Sequence, residues 1–321
     1  MRILVTGATS LIGGHLTAKL KDRGDDVVTL QRRPVSGTSN VQGDITDRAV
    51  VARAVRGCGA VVHLAARVGI VGTWNQFHHT NVIGTEVVVT EAERAGVRRF
   101  VHVSSPSVAH GGEALTGAEA APADPARTRG HYATSKALAE AFALSRHTSG
   151  MSVAAIRPHL VWGPGDTQLV GRIVERARQG RLAYVGTGAA MIDSTYITNA
   201  VDALEAAIDR CDQAGGQAVV VSNGEPRPIA DLVHGIVTAH GLDPAVRRIP
   251  KPAAFAAGWL AERAWDRLTL DGEPPITTFL AEQLGTAHWF DQRHTRAVLQ
   301  WEPAVSIDEG LALLSSWARP G

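Results

Sequence analysis

Only two cysteines occur in the 321 residues, Cys58 and Cys211, and neither belongs to a CxxC pair. That excludes a disulfide framework and fits a reducing compartment, so a cytoplasmic location is expected. Excess charge is missing too, since 32 Lys and Arg stand against 31 Asp and Glu for a net +1. Such a balance favours neither nucleic acid nor an anionic membrane as a partner. No apolar run approaches the roughly 18 residues a membrane span needs. The opening Met1-Arg2-Ile3-Leu4-Val5 breaks at once into Thr6-Gly7 and reads as a strand, not a signal peptide. With 45% hydrophobic and 20% charged residues, the chain can bury an ordinary core, and its length leaves room for a second lobe.

What is present is a rhythm of short β-branched runs and longer helical patterns. Strands are predicted at 3–5, 27–30, around Val41, 60–64, 100–103 and 153–156, and helices over 11–23, 47–56, 75–95 and 131–148, with Gly24 and Gly96 as stops. Repeated strand–helix–strand units make a parallel sheet with helices on both faces, so the fold class is α/β, a doubly wound Rossmann sheet. After Arg157-Pro158 the pattern turns to short strands at 182–185 and 218–221, helices and Pro/Gly turns. We therefore expect a dinucleotide-binding domain over 1–160. A smaller α/β substrate-binding lobe should cover 161–321, with some segments returning to the core.

The run Thr6-Gly7-Ala8-Thr9-Ser10-Leu11-Ile12-Gly13 joins the first strand to the first helix. There Gly7 permits a tight turn, the helix amino terminus offers N–H groups and a positive dipole end to a pyrophosphate, and Gly13 lets helix and strand approach closely. Gly7, Thr9, Ser10, Leu11, Ile12 and Gly13 are thus candidate cofactor contacts. The second strand ends without the acid that would accept from the ribose hydroxyls of NAD, and Gln31-Arg32-Arg33 stands there instead. Two guanidinium groups suit a 2′-phosphate, which favours NADP(H) over NAD(H).

Tyr132 and Lys136 lie four positions apart near the start of a helix and so share a face. A cation beside a phenol lowers its pKa, and a tyrosine so tuned can pass a proton to or from a carbonyl oxygen near neutral pH. The fifth strand ends Val103-Ser104-Ser105-Pro106-Ser107, where a serine hydroxyl can hold that same oxygen. No metal site is expected. His78 and His79 are adjacent on a helix and point to different faces, and His102 and His110 have no cysteine or carboxylate at ligand spacing.

Taken together, the turn at Thr6 to Gly13, the Asp44-Ile45 pair, His63-Leu64-Ala65-Ala66, Val103-Ser104-Ser105, Tyr132 with Lys136, and Arg157-Pro158 resemble an extended short-chain dehydrogenase/reductase over nearly the whole chain. The resemblance implies a catalytic triad of Ser105, Tyr132 and Lys136. It implies Asp44 and Ile45 beside the adenine, Leu64, Ala65, Ala66 and Val103 along the middle of the cofactor, and Pro158 and His159 near the nicotinamide. Asn81 matches a structural asparagine of the family, and a homodimer through the helices at Asn75 and His131 is implied as well. Ser10 departs from the family pattern of a second glycine, so its backbone has to avoid positive φ.

Pro106, not an acid, follows Ser105, which argues against a dehydratase. The carboxyl half, at Arg157 to Asp166, Asp193 to Ile197 and Ser222 to Pro226, resembles the 3β-hydroxysteroid dehydrogenase branch. The stretch from Gly272-Glu273-Pro274-Pro275 to Thr286-Ala287-His288-Trp289 is similar to bacterial 2-alkyl-3-oxoalkanoate reductases of olefin and β-lactone biosynthesis. That implies a lipid-like small-molecule substrate whose 3-keto group is reduced. His159, Trp162, Thr195 and Tyr196, with Ser105, are its candidate contacts. A steroid dehydrogenase and a sugar-nucleotide epimerase are the alternatives, and Arg172, Arg181 and Arg227 are available to phosphates in the latter case. Phe255, Trp259, Leu260, Trp265 and Leu268 recur at helical spacing, either as a packing helix or as a lipid-facing lid, so peripheral membrane contact stays open.

Overall fold

A computed structural model describes all residues except 70–71, 244–245, 269–276 and 320–321. The Gly272-Glu273-Pro274-Pro275 stretch and the Leu268 side chain lie outside the described residues. The chain begins β1 (Arg2–Thr6), α1 (Leu11–Asp22), β2 (Asp26–Gln31), β3 (Ser39–Gln42), α2 (Arg48–Ala54) and β4 (Ala60–His63). Next, α3 (Trp74–Phe77) runs through a π-helical turn at His78–Ile83 into α4 (Gly84–Arg94). β5 (Arg99–Val103), β6 (Leu115–Ala118), α5 (Gly130–Ser145) and β7 (Ser152–Pro158) follow. The second half holds β8 (Val161–Trp162), α6 (Leu169–Arg178), β9 (Ala183–Val185), β10 (Met191–Ile192), β11 (Thr195–Tyr196), α7 (Ile197–Asp209) and β12 (Ala218–Val221). It ends with β13 (Arg227–Pro228), α8 (Ile229–Ala239), β14 (Arg247–Ile249), α9 (Lys251–Leu268), α10 (Thr278–Gly285), β15 (His288–Phe290), α11 (Arg293–Leu299) and α12 (Ile307–Ala318).

A seven-stranded parallel sheet in the order β12-β7-β5-β4-β1-β2-β3 forms the centre, a Rossmann arrangement. Both faces are covered over the middle of the sheet, so β1, β4, β5 and β7 are mostly apolar along their buried lengths. Side chains alternate between two cores. Ile3 and Val5 meet Leu16 and Leu204 on one side, and Leu4 meets Val51 and Val88 on the other. The register sets Thr6 beside His63 and His63 beside His102, so polar side chains stand in a row at the carboxyl rim.

The spatial layout crosses the expected boundary at 160 in both directions. β12 completes the large sheet and α7 packs on α1, whereas β6 leaves the amino-terminal half for a second sheet in the order β13-β10-β15-β6. The helix predicted over 75–95 is not one regular α-helix either, because six residues of it are π-helical. Strands of two to four residues, such as β8, β10 and β15, carry too little period to read from sequence.

Candidate active site

The turn after β1 folds back on itself. Ser10 has φ −76° and caps α1, its Oγ accepting from the Gly13 amide at 3.1 Å and donating to the Gly7 carbonyl at 2.8 Å. A side chain thus does the work of the missing glycine. Gly7 has φ +73°, and a Cβ there would lie 2.8 Å from the Ala65 amide nitrogen. At Gly13 a Cβ would lie 2.4 Å from the Gly7 carbonyl oxygen. Backbone therefore approaches backbone at the amino end of α1, which is the cradle a pyrophosphate requires. Thr9 is exposed there, and Leu11 and Ile12 are half-buried.

Gln31 is buried, accepting from the Ala8 amide at 3.1 Å and donating to Asn40 Oδ1 at 3.1 Å, so it braces the turn. Arg32 and Arg33 are exposed and form no ion pair among the described residues. Partial burial works against ionisation of Asp44, but the Thr46 amide and hydroxyl, with Arg32 and His79 nearby, hold its carboxyl below the usual range. Ile45 is buried against Gly84, where a Cβ would lie 2.5 Å from its Cδ1. Leu64, Ala65 and Ala66 continue β4 half-buried, and Thr6 Oγ1 accepts from the Ala65 amide at 3.1 Å.

Ser105 caps a short 3-10 turn after β5, with its Oγ 3.0 Å from Ser107 Oγ. Tyr132 sits on the first turn of α5, edge-on to Phe77 at 6.5 Å. Burial raises the phenol's pKa, and a hydrogen bond with Ser105 pulls it back in part. Lys136, one turn further, is 3% exposed. Its Nζ donates to the Val103 carbonyl at 2.7 Å and lies 3.4 Å from His102 Nε2. Burial brings its pKa down to about 8, with Glu140 pulling upward. The sequence expectation that Lys136 lowers the phenol's pKa is therefore corrected. Desolvation dominates at Tyr132, and Ser105 supplies the opposing contact.

Two supports hold this pair. His63 bridges Thr6 Oγ1 (2.8 Å) and Thr85 Oγ1 (3.0 Å), and burial with Lys136 brings its pKa to about 3. The π-helical turn brings Asn81 inward, as such turns do at functional sites. Asn81 accepts from the Arg67 amide and donates to Ser135 Oγ at 2.9 Å, and Ser135 donates to the Tyr132 carbonyl at 2.8 Å.

On the substrate side, Pro158 is half-buried at the end of β7, and His159 follows it, buried against Phe290 at 5.1 Å between ring centres. His288 Nε2 faces the Gln283 carbonyl at 2.8 Å and so carries the proton. Its Nδ1 then accepts from His159 Nε2 at 3.1 Å. Burial, His288 and His110 keep His159 neutral. Three expected substrate contacts are instead packing residues. Trp162 is fully buried, stacks edge-on against Tyr196 at 5.3 Å and donates to Ser194 Oγ. Tyr196 is 3% exposed and pressed by Gly310, where a Cβ would be 2.7 Å away. Thr195 donates to the His159 carbonyl at 2.7 Å and the Val221 carbonyl at 3.1 Å, which leaves its hydroxyl no donor for a ligand.

Sequence reasoning missed other neighbours. Ser107, His110, Arg129 and Glu282 line a small crevice beside Ala133, and Arg129 pairs with Glu282 at 3.1 Å. Nothing local marks that pair. Glu140, by contrast, stands on the Tyr132–Lys136 face and was within reach of helical spacing. It holds Arg157 in a buried bidentate pair at 2.9 and 2.5 Å.

The model of the NAD dependent epimerase/dehydratase family matches residues 3–222. The chain belongs to that family. Within it the enzyme is an extended short-chain dehydrogenase/reductase, an NAD(P)-dependent oxidoreductase. It is 39% identical to a 2-alkyl-3-oxoalkanoate reductase of Stenotrophomonas maltophilia (strain K279a), over 98% of this chain and 99% of that one. A 3 beta-hydroxysteroid dehydrogenase/Delta 5-->4-isomerase of Mycobacterium tuberculosis (strain CDC 1551 / Oshkosh) is 30% identical, over 97% of this chain and 88% of that one. The fold matches that of a dTDP-glucose 4,6-dehydratase from Streptomyces venezuelae solved with NAD, at TM-score 0.76 and 25% identity, covering 100% of this chain and 98% of that one.

Proposed function

We propose that this enzyme uses NADPH to reduce the 3-keto group of a long-chain 2-alkyl-3-oxoalkanoate to the 2-alkyl-3-hydroxyalkanoate. The observation that carries the reading is that Tyr132 and Lys136 stand one turn apart on α5 at the carboxyl rim of the large sheet, Lys136 Nζ on the Val103 carbonyl at the end of β5 and Ser105 near enough to the phenol to lower its pKa. When bound, the cofactor supplies the hydride. The turn at Gly7 to Gly13 would hold its pyrophosphate, and Arg32 and Arg33, without an ion pair among the described residues, would take the 2′-phosphate. Ser105 orients the ketone oxygen. Tyr132 is protonated at neutral pH, as a phenol with its pKa raised by burial must be, and it gives that proton as negative charge builds on the oxygen.

The substrate class rests on the similarity to the Stenotrophomonas maltophilia reductase along the whole chain. A steroid substrate is the second reading, favoured by the Mycobacterium tuberculosis relative. The sugar-nucleotide reading loses a phosphate donor, because Arg227 is held by Asp308 at 2.5 Å and Glu225 at 3.1 Å. The test is cofactor oxidation, with NADPH and NADH in parallel, on a 2-alkyl-3-oxo acid, a 3-ketosteroid and a UDP-sugar. Turnover of the oxo acid with NADPH is expected, and turnover of the steroid alone would move the assignment to the second reading. Arg32→Ala should raise KM for NADPH by about tenfold or more, the worth of a charge-assisted hydrogen bond, and leave NADH unchanged.

A further inference from the structure

A crevice lies between the loop after β5, the start of α5 and the helix α10. Ser107, His110, Gly112, Arg129 and Glu282 line it, and it has room for about one water molecule. Ser107 joins it to the candidate site, because its Oγ is 3.0 Å from Ser105 Oγ. His110 accepts from the Gly112 amide on Nδ1 at 3.2 Å, so in the neutral ring the proton is on Nε2. Burial and His288, with Arg129 adding and Glu113 opposing, lower its pKa and keep the ring neutral. That Nε2–H is buried and has no acceptor among the described residues. A buried donor left unpaired is costly, so the place calls for an acceptor. Arg129 stands at the edge with only Nη1 on the Glu282 carboxylate, at 3.2 and 3.1 Å. Gly112 has φ +97°, and a Cβ there would overlap Glu282 and lie 2.8 Å from Arg129 Cζ, so this wall has to be glycine.

We propose that this crevice takes one carboxylate oxygen of the substrate, with the His110 Nε2–H, the Ser107 hydroxyl and the Arg129 guanidinium as its donors. The site so read rests on the 3-oxo acid substrate proposed above. In such an acid the carboxyl carbon is two bonds from the ketone carbon. With the ketone oxygen at Ser105 and Tyr132, the carboxylate falls beside Ser107, the neighbour of Ser105. Ser105 then donates to the ketone, which leaves the Ser107 hydroxyl free to turn to the carboxylate. A phosphate fits poorly, since there is room for one oxygen and the single guanidinium is already shared with Glu282. Glu282 also tempers the site, because it draws on the Arg129 charge and repels a second carboxylate. A ketone without an acid group leaves the same donors unpaired, so the crevice selects against it.

The test compares a 2-alkyl-3-hydroxy acid with its methyl ester, each oxidised by the full chain with NADP+ and NAD+ in parallel. The hydroxy acid is chosen because a 3-oxo acid loses carbon dioxide on standing. The wild type should favour the acid over the ester in kcat/KM by about tenfold or more, the worth of a hydrogen bond to a charged group. His110→Phe and Arg129→Met should each cut that ratio by about tenfold, mainly through KM for the acid. The ratio is read within one preparation, so a partly folded variant does not disguise it, and the Arg129 side chain is more than half exposed. Glu282→Gln releases Arg129 and should raise the ratio. Equal turnover of acid and ester by the wild type overturns the proposal, leaves the ketoreductase reading standing and assigns the crevice to a water molecule. A preference for the acid that neither His110→Phe nor Arg129→Met moves also overturns it, because the carboxylate is then held elsewhere. Turnover of neither compound overturns this site and the 3-oxo acid reading together.

Discussion

At the cofactor turn Gly7, Ser10 and Gly13 constrain one another within a single turn of chain, whereas on the substrate side Arg129 meets Glu282 across 153 positions of sequence. The first site is made by backbone that cannot move without a clash. The second is made by side chains from separate elements, Arg129 before α5 with Glu282 on α10, and His159 after β7 with His288 on β15. In the function proposed above, hydride and proton chemistry would belong to the rigid side, at the rim of the large sheet. Substrate choice would belong to the side where single exchanges can reshape the wall.

The largest effect that would break this division comes from Tyr132→Phe. The variant keeps the ring against Phe77 and removes the proton donor. Its kcat should fall by about 10² to 10⁴, while cofactor affinity, read by titration, stays near that of the wild type. Joint loss of both would mean that the phenol props the cofactor cradle and that the two sides are not separable.

Glu140→Ala tests the joint between them. Arg157 Nη1 also donates to the Ala121 carbonyl at 2.7 Å, so the pair ties α5 and β7 to the segment that leads from β6. Both members are 1% exposed, and removing the carboxylate leaves a buried guanidinium with one acceptor. A loss of about 3–5 kcal/mol is expected in urea melts. Glu140→Gln should lose less, because it keeps an acceptor in place. A variant as stable as the wild type would show that the pair merely fills space.

How far sequence could see follows from the same contrast. Gly7, Gly13 and the Tyr132–Lys136 spacing are legible because backbone clearance and helical period demand those residues at those offsets. The α/β rhythm is legible for the same reason. Trp162, Thr195 and Tyr196 misled because an aromatic or hydroxyl side chain beside a conspicuous motif looks alike in sequence whether it faces ligand or core. The fate of the Thr195 hydroxyl depends on Val221, which reaches it only through the return of β12 to the large sheet. The π-helical turn that carries Asn81 has no period distinguishable from the α-helix around it.

Thr195→Val sharpens that correction. It strips the donor from the carbonyls of His159 and Val221, and stability should drop by about 1–3 kcal/mol. The KM for substrate should hold. A rise in KM at unchanged stability would restore Thr195 as a substrate contact.

The smallest effect is the most diagnostic of the rigid side. Lys136 has a pKa of about 8 in the fold against an ordinary 10.5. Between those values the unfolded chain binds the extra proton, so stability should rise with pH across the window. Conversely, holding the charge at neutral pH costs roughly 3 kcal/mol. Lys136→Met removes that cost but leaves the Val103 carbonyl without its donor, worth about 1–3 kcal/mol. The variant should therefore be inactive yet as stable as the wild type or about 1 kcal/mol better at neutral pH, with the rise between pH 8 and 10.5 abolished. Urea melts at both ends of that window read it directly. A wild type and variant that shift in parallel would place the ammonium in water, and the catalytic helix would then have no buried cation to carry.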